Sequence, residues 1–327
     1  PPVAEGAGQA VAADAGQAVG GVSSLAHELR PDDPVLLLAH RALGSQLPAL
    51  TVPAPERTRR PSAEGVHRLR VATRRARAAI RAFKGVLPAE LRADVADELK
   101  WLAGILGDMR DLDVYREHYP AYRAALPPRD AAALAPFERH LQSEAQQASA
   151  ALVAALDSVR YERLLARLAA SVGADGATAD ASRDKGESIR DAGVRSIEAA
   201  AAGVLKRGRR VRRASPASEL HELRKAGKKL RYLVEFLEPY FDGRLAAPRK
   251  ALTRLQGVLG DYQDASAADA RVRRYAEGKA SAAELLALGQ LLGAQSRSAD
   301  AARRRFGKRW RELDAALTSL QLGDAPR

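Results

Sequence analysis

No cysteine occurs in this 327-residue chain, so disulfides and thiolate metal sites are excluded and the sequence carries no mark of its redox compartment. Aromatic residues make up only 5% of it, which is thin for a protein that stacks single-stranded bases. Apolar runs stay short of the ~18 residues that a membrane span needs. The first residues also lack the charged-then-apolar order of a secretory signal. No segment alternates with period two, so no sheet is expected. Gly-rich phosphate loops, a G-x-S-x-G elbow and an H-E-x-x-H frame are all missing. The six histidines, at 27, 40, 67, 118, 140 and 221, never fall at i,i+4, so no zinc site is expected. These absences leave catalysis little foothold, and the chain is expected to be a non-enzymatic cytoplasmic protein with no cofactor, no metal and no membrane partner. Its start at Pro1 rather than Met is compatible with a further N-terminal domain before it.

One local absence is more informative. From Val66 to Gly85 there is no acid, yet the stretch VHRLRVATRRARAAIRAF (66–83) is crowded with cations. Placed on a helix, His67, Arg70, Arg74, Arg77 and Arg81 fall within about 80° of one another. Leu69, Ala72, Ala76, Ala79, Ile80 and Phe83 form the opposing apolar face. Like charges at i,i+3 and i,i+4 cost roughly 0.2–0.5 kcal/mol per pair, so this stripe costs on the order of 1 kcal/mol. Such a stripe either pads a solvated surface or awaits a polyanion. Solvated faces usually interleave signs, and this one does not.

The pattern recurs. A shift of 154 residues lays LHELRKAGKKLRYLVEFL (220–237) on the first stretch. His67 meets His221, Arg70 meets Arg224, Arg74 meets Lys228, Arg75 meets Lys229 and Arg77 meets Arg231. Three of the chain's ten lysines sit in this copy, so arginine-rich composition does not explain it. One position breaks the match: Glu235 replaces Arg81 and trims the second stripe.

The net charge of +13 points to an acidic partner, and 46% apolar residues are enough to bury helical cores. The expected plan is a disordered Ala/Gly-rich tail (1–31), a helical subdomain over 32–172, a linker over 173–186 and a second helical subdomain over 187–322. In the first half, a helix is expected from Val35 to about Leu50, a loop over 52–61, and a basic helix over 62–87 capped by Ser62. In the second, a long helix is expected over 187–213, a basic helix from Ser218 and a break at Asp242-Gly243. The segments LGDMRD (106–111) and LGDYQD (259–264) align at a shift of 153, and each is read as lying at a helix boundary.

The acidic motif has two readings. Asp108, Asp111 and Asp113 give D-x-x-D-x-D, a cluster of the kind that holds Mg²⁺, and a phosphohydrolase would use Asp108, Asp111 and Asp264. The blander reading is that Asp108 and Asp111 cap a helix starting after Gly107 and pair with Arg110 or the basic helices. His67 and His221 are either buried imidazoles bonded to a carboxylate or backbone, or phosphate donors. Base-reading Asn and Gln are absent from both basic helices, so nucleic acid is expected to bind only non-specifically.

The paired basic helices, each followed by an LG-D-x-x-D segment, resemble the CHAD family of histidine-bearing α-helical domains, and the resemblance covers residues 32–322. It implies an all-α fold of two four-helix-type bundle subdomains related by internal pseudo-twofold symmetry, the basic helices facing a shared groove. It further implies binding of inorganic polyphosphate and association with polyphosphate granules, without catalysis. The binding set carried over is His67, Arg70, Arg74, Arg75, Arg77, Arg81, His221, Arg224, Lys225, Lys228, Lys229 and Arg231, with Lys100 and Arg254 as weaker members. Weaker again are Arg195, Lys206, Arg210, Arg303, Arg304 and Arg309. Sulfate or phosphate ions are expected to substitute for polyphosphate in the groove. Many relatives carry an N-terminal CYTH domain with an E-x-E-x-K motif; this chain has no such motif, so triphosphate hydrolysis is not carried over. The alternatives are an Mg²⁺-dependent phosphohydrolase and a general nucleic-acid binder.

Overall fold

A computed structural model describes residues 28–59, 61–173, 186–279 and 281–323. Most of the expected tail and linker lie outside these residues. Among the described residues the fold is all-α, with twelve α-helices and no strand. In chain order they are α1 (Val35–Gly44), α2 (Leu47–Leu50), α3 (Ala54–Arg57), α4 (Ala63–Ala82), α5 (Ala89–Ala124), α6 (Pro128–Ala133), α7 (Ala135–Leu156), α8 (Val159–Gly173), α9 (Ile189–Gly208), α10 (Ala217–Leu237), α11 (Ala246–Lys279) and α12 (Ala282–Thr318).

The chain forms two compact units that do not follow the sequence halves 32–172 and 187–322. The first takes the described residues of Pro1–Gly107, Ala150–Ser196 and Phe236–Asp242; the second takes those of Asp108–Ser149, Ile197–Glu235 and Gly243–Arg327. Each half therefore contributes to both units, and α5, α7, α9 and α10 each supply residues to both.

In the first unit α1 is buried through Leu37, Leu38 and Leu43, and packs against α4 and α8. The single helix expected from Val35 to Leu50 is broken after Gly44, because Pro48 lacks an N–H and its ring would clash with the carbonyl of residue 44. The buried Gln46 amide donates to the Ala42 carbonyl at 3.2 Å and to Ser45 Oγ at 2.7 Å, so the break leaves no orphaned amide. The expected loop over 52–61 contains the single turn α3. Tyr161 of α8 fixes this corner: its hydroxyl donates to the Leu50 carbonyl and accepts from Val52 N–H at 3.1 Å. Burial pushes that hydroxyl's pKa up to about 12.

Ser62 caps α4 as expected, accepting from Gly65 N–H at 3.0 Å. The helix buries Val66, Leu69, Ala72, Ala76, Ala79 and Ile80, which leaves its opposite face to the cations. It ends at Phe83, whose ring meets Phe236 at 5.7 Å. The start of α1 is stitched to the start of α9 by backbone bonds from Val35 N to Glu187 O (3.0 Å) and from Ile189 N to Asp33 O (2.8 Å). The long helix expected over 187–213 is α9, ending at Gly208.

The second unit is organised around the α11–α12 pair, with α6 packed on α12. Leu112, Tyr115, Tyr119, Phe137, Leu141, Val272, Leu288 and Leu291 share one core. Phe137 meets the Tyr275 ring at 4.9 Å and the Tyr115 ring edge-on at 6.1 Å. Buried Gln295 donates to the Tyr115 hydroxyl at 3.1 Å. Ser281 caps α12 through Glu284 N–H, and the Glu284 carboxylate accepts from the Tyr275 hydroxyl at 2.7 Å. The break expected at Asp242-Gly243 is present, both residues adopting positive φ.

Both LG-D-x-x-D segments lie inside helices rather than at their ends. Gly107 and Asp108 fall within the 36-residue α5, and Gly260 and Asp261 within the 34-residue α11. The expected helix start after Gly107 is thus overturned: the apolar series Val95, Leu99, Leu102, Leu106, Met109 and Leu112 runs straight through at helical spacing, and its burial outweighs the glycine's preference for an end.

Candidate functional site

The first cation stripe belongs to α4 and lies wholly in the first unit. His67 and Arg81 are exposed at its two ends, and Arg70, Arg74, Arg75 and Arg77 are half-buried between them. The Arg75 guanidinium lies over the Phe236 ring, 5.7 Å from its centroid, so part of its hold is apolar. Arg77 has its pKa lowered, first by dehydration and then by the neighbouring Arg81 cation. A guanidinium seated in a salt bridge is pushed the other way. Neither Arg77 nor Arg81 has a carboxylate partner among the described residues. Lys100, on α5, is exposed.

The second stripe, on α10, belongs to the second unit and is partly neutralised. Arg231 Nη1 meets Glu235 Oε1 at 3.1 Å, so the acid that stands where the first copy has Arg81 neutralises one positive charge of the stripe. Lys225 Nζ meets Glu222 at 2.6 Å, and Arg254 of α11 reaches Glu312 at 3.6 Å. Lys228 is half-buried and Lys229 exposed. His221 is half-buried, with Nδ1 2.9 Å from Gln263 Oε1 on α11 rather than on a carboxylate or a backbone group. Gln256 of α11 donates to the Arg224 carbonyl at 3.2 Å. Gly227 makes room for that amide, since a Cβ there would stand 2.3 Å from Gln256 Nε2. The aligned positions in the first copy are Thr73 and Ala103, so bulk is exchanged between the two helices from one copy to the other.

Asp111 and Asp264, the second acids of the two repeats and partners in the hydrolase alternative, are electrostatically linked. Both carboxyls have raised pKa values, chiefly through dehydration; Asp108 adds to the rise at Asp111, and Asp111 and Asp261 add to it at Asp264. At Asp111, Arg271 and then Arg224 pull the value back down; at Asp264, Arg224 and then His118 do so. Arg110 approaches Glu117 at 3.9 Å. Guanidiniums in these positions oppose a divalent cation, and among the described residues no three His, Asp or Glu side chains gather as metal ligands.

Of the outlying cations, Arg195 pairs with Glu187 and Arg309 with Glu312. Arg303 donates to the Ser215 carbonyl and lies over the Tyr262 ring. Lys206, Arg210 and Arg304 are exposed.

Residues 41–273 match the CHAD domain description. The chain belongs to the CHAD family. That family is linked to polyphosphate. Among curated proteins, the chain is 30% identical over 237 residues to the uncharacterized proteins MT2285 and Rv2226 of two Mycobacterium tuberculosis strains. That match covers 72% of this chain and 44% of theirs, so the chain spans under half the length of these relatives. Among solved structures, the CHAD domain from the plant Ricinus communis aligns with a TM-score of 0.65 at 24% identity, over 90% of this chain and 96% of that one. PptA from Streptomyces chartreusis aligns with a TM-score of 0.62 at 21% identity, over 85% and 99% respectively. At these identities the likeness establishes the CHAD fold.

Proposed function

We propose that this CHAD protein binds inorganic polyphosphate through the cationic faces of α4 and α10, without catalysing its turnover, and that this binding directs it to polyphosphate granules. The observation that carries the reading is the α4 stripe. Cations repeat along one helix face from His67 to Arg81, and Arg77 is pressed toward neutrality by burial and by Arg81. A phosphate oxygen at that point would relieve both effects through a charge-assisted and often bidentate bond. From Arg70 to Arg81 the stripe is about 16 Å long at 1.5 Å per residue, enough for several phosphates of a linear chain. A phosphate chain offers charge without bases, which suits a surface with few aromatic side chains.

The test is long-chain polyphosphate binding by the parent and by the Arg70→Ala/Arg74→Ala/Arg77→Ala variant. Binding is expected to be lost with the helical circular dichroism retained, and to weaken steeply with salt in the parent. A triple variant that binds like the parent removes α4 from the site. Two further measurements separate the rival readings. Release of phosphate in Mg²⁺ that Asp111→Ala abolishes would establish a hydrolase. Equal displacement of polyphosphate by duplex DNA at matched phosphate concentration and salt would establish a general nucleic-acid binder.

A further inference from the structure

We propose that Gln263 is a positioning residue for phosphate recognition at His221, a role that rests on the polyphosphate reading above. The two side chains come from different helices, α11 and α10, and meet through Gln263 Oε1 and His221 Nδ1 at 2.9 Å. An amide oxygen only accepts, so Nδ1 carries the proton and the ring is held in one tautomer and one orientation. Nε2 has no hydrogen-bond partner among the described residues, and it is not among the buried unpartnered atoms, so it is open to solvent.

The chemistry of the site follows from that tautomer. In the neutral ring Nε2 holds a lone pair, which repels a phosphate oxygen. It donates only in the imidazolium, so a phosphate seated there draws one proton from solvent on to Nε2 while Nδ1–H stays on Gln263. The charged groups around this corner are Glu222, Arg224 and Lys225 on α10, Arg207 of α9 acting on Glu222, and Asp264 of α11 acting on Arg224. Asp261 of α11 is paired with Arg305, and Arg303 of α12 lies over the Tyr262 ring beside Gln263.

The device belongs to one copy of the repeat. The residue aligned with Gln263 is Arg110, which has no acceptor and reaches toward Glu117 instead. His67, the counterpart of His221, is exposed. Gln256, seven residues before Gln263 on α11, bonds the Arg224 carbonyl, so the same pair of helices is tied at two points along the stripe. Two amides thus tie α10 to α11, one at the His221 ring and one at the Arg224 backbone, without adding charge.

The closing experiment uses the full chain with ¹⁵N-labelled histidine and long-chain inorganic polyphosphate. The His221 signals, identified by their loss in His221→Gln, are expected to show Nδ1–H in the free parent and protonation of both nitrogens on binding. Gln263→Leu is expected to move the free ring toward Nε2–H, while Gln263→Glu, which keeps an acceptor, retains Nδ1–H. In the affinity cycle Gln263→Leu is expected to weaken binding about three- to tenfold in the parent and less than about twofold in the His221→Gln background, as coupled partners do. Equal losses in both backgrounds, or an Nε2–H ring in the free parent, overturn the proposal and leave polyphosphate binding standing. A parent that binds no polyphosphate overturns the functional reading and this role with it.

Discussion

Arg77 sits half-buried on α4 with Arg81 one turn along, and both its burial and that neighbour destabilise its charge. Arg231, its counterpart in the second copy, is relieved by Glu235 on its own helix. The two stripes therefore differ in how much charge they offer a ligand, and α4 is expected to contribute more affinity than α10. Asp264 acts in the opposite sense, as a carboxylate set against Arg224 and Asp111. Its folded pKa is raised, so the folded chain takes up this proton more readily than the unfolded one, and stability rises as pH falls through the carboxylate range. Asp264→Asn is expected to raise the melting temperature at pH 7 and to flatten that rise on acidification, read from melts between pH 4 and pH 7. The same variant frees Arg224 of one acid, and polyphosphate is expected to bind about fivefold tighter, since one unit charge near 4 Å in water is worth about 1 kcal/mol. Unchanged melting and affinity would show that Asp264 does not act on Arg224. The basic and acidic residues were legible in the sequence one by one. The contact of His221 with Gln263 was not, because it joins positions 42 residues apart that no local spacing connects.

Gly107 and Gly260 stand in mid-helix in α5 and α11, and a Cβ at either would meet nothing within 4 Å. Packing therefore does not account for glycine at these positions. Gly107→Ala and Gly260→Ala are each expected to stabilise the fold by about 0.5–1 kcal/mol, read from denaturant midpoints. A loss of stability would mean that the helix bends there in a way Ala resists. Glycine followed by aspartate is what helix ends commonly carry, and this local signal points to a boundary in both segments. The leucine series on either side is periodic across the glycine, and that longer pattern is the signal that decides for one helix. The α4 boundary fared better, since Ser62 and the acid in the first turn are local devices that act where they stand.

The division of the molecule carries a prediction of its own. The first unit draws on residues 186–196 and 236–242 as well as 28–107, and the backbone bonds between 33–35 and 187–189 lie within it. Residues 28–173 and 186–323 produced separately are expected to melt without cooperativity and to regain a cooperative transition when mixed. Two fragments that each melt sharply alone would show that the halves are autonomous. The sequence by itself determined the helical class, the repeat of two cationic helices and the sign of the chain's own charge, because periodicity and charge are properties of neighbouring residues. Only the tertiary structure decided which segments share a core, which acids temper which cations and which side chain holds His221, because burial and pairing depend on residues that are distant along the chain and brought together by folding.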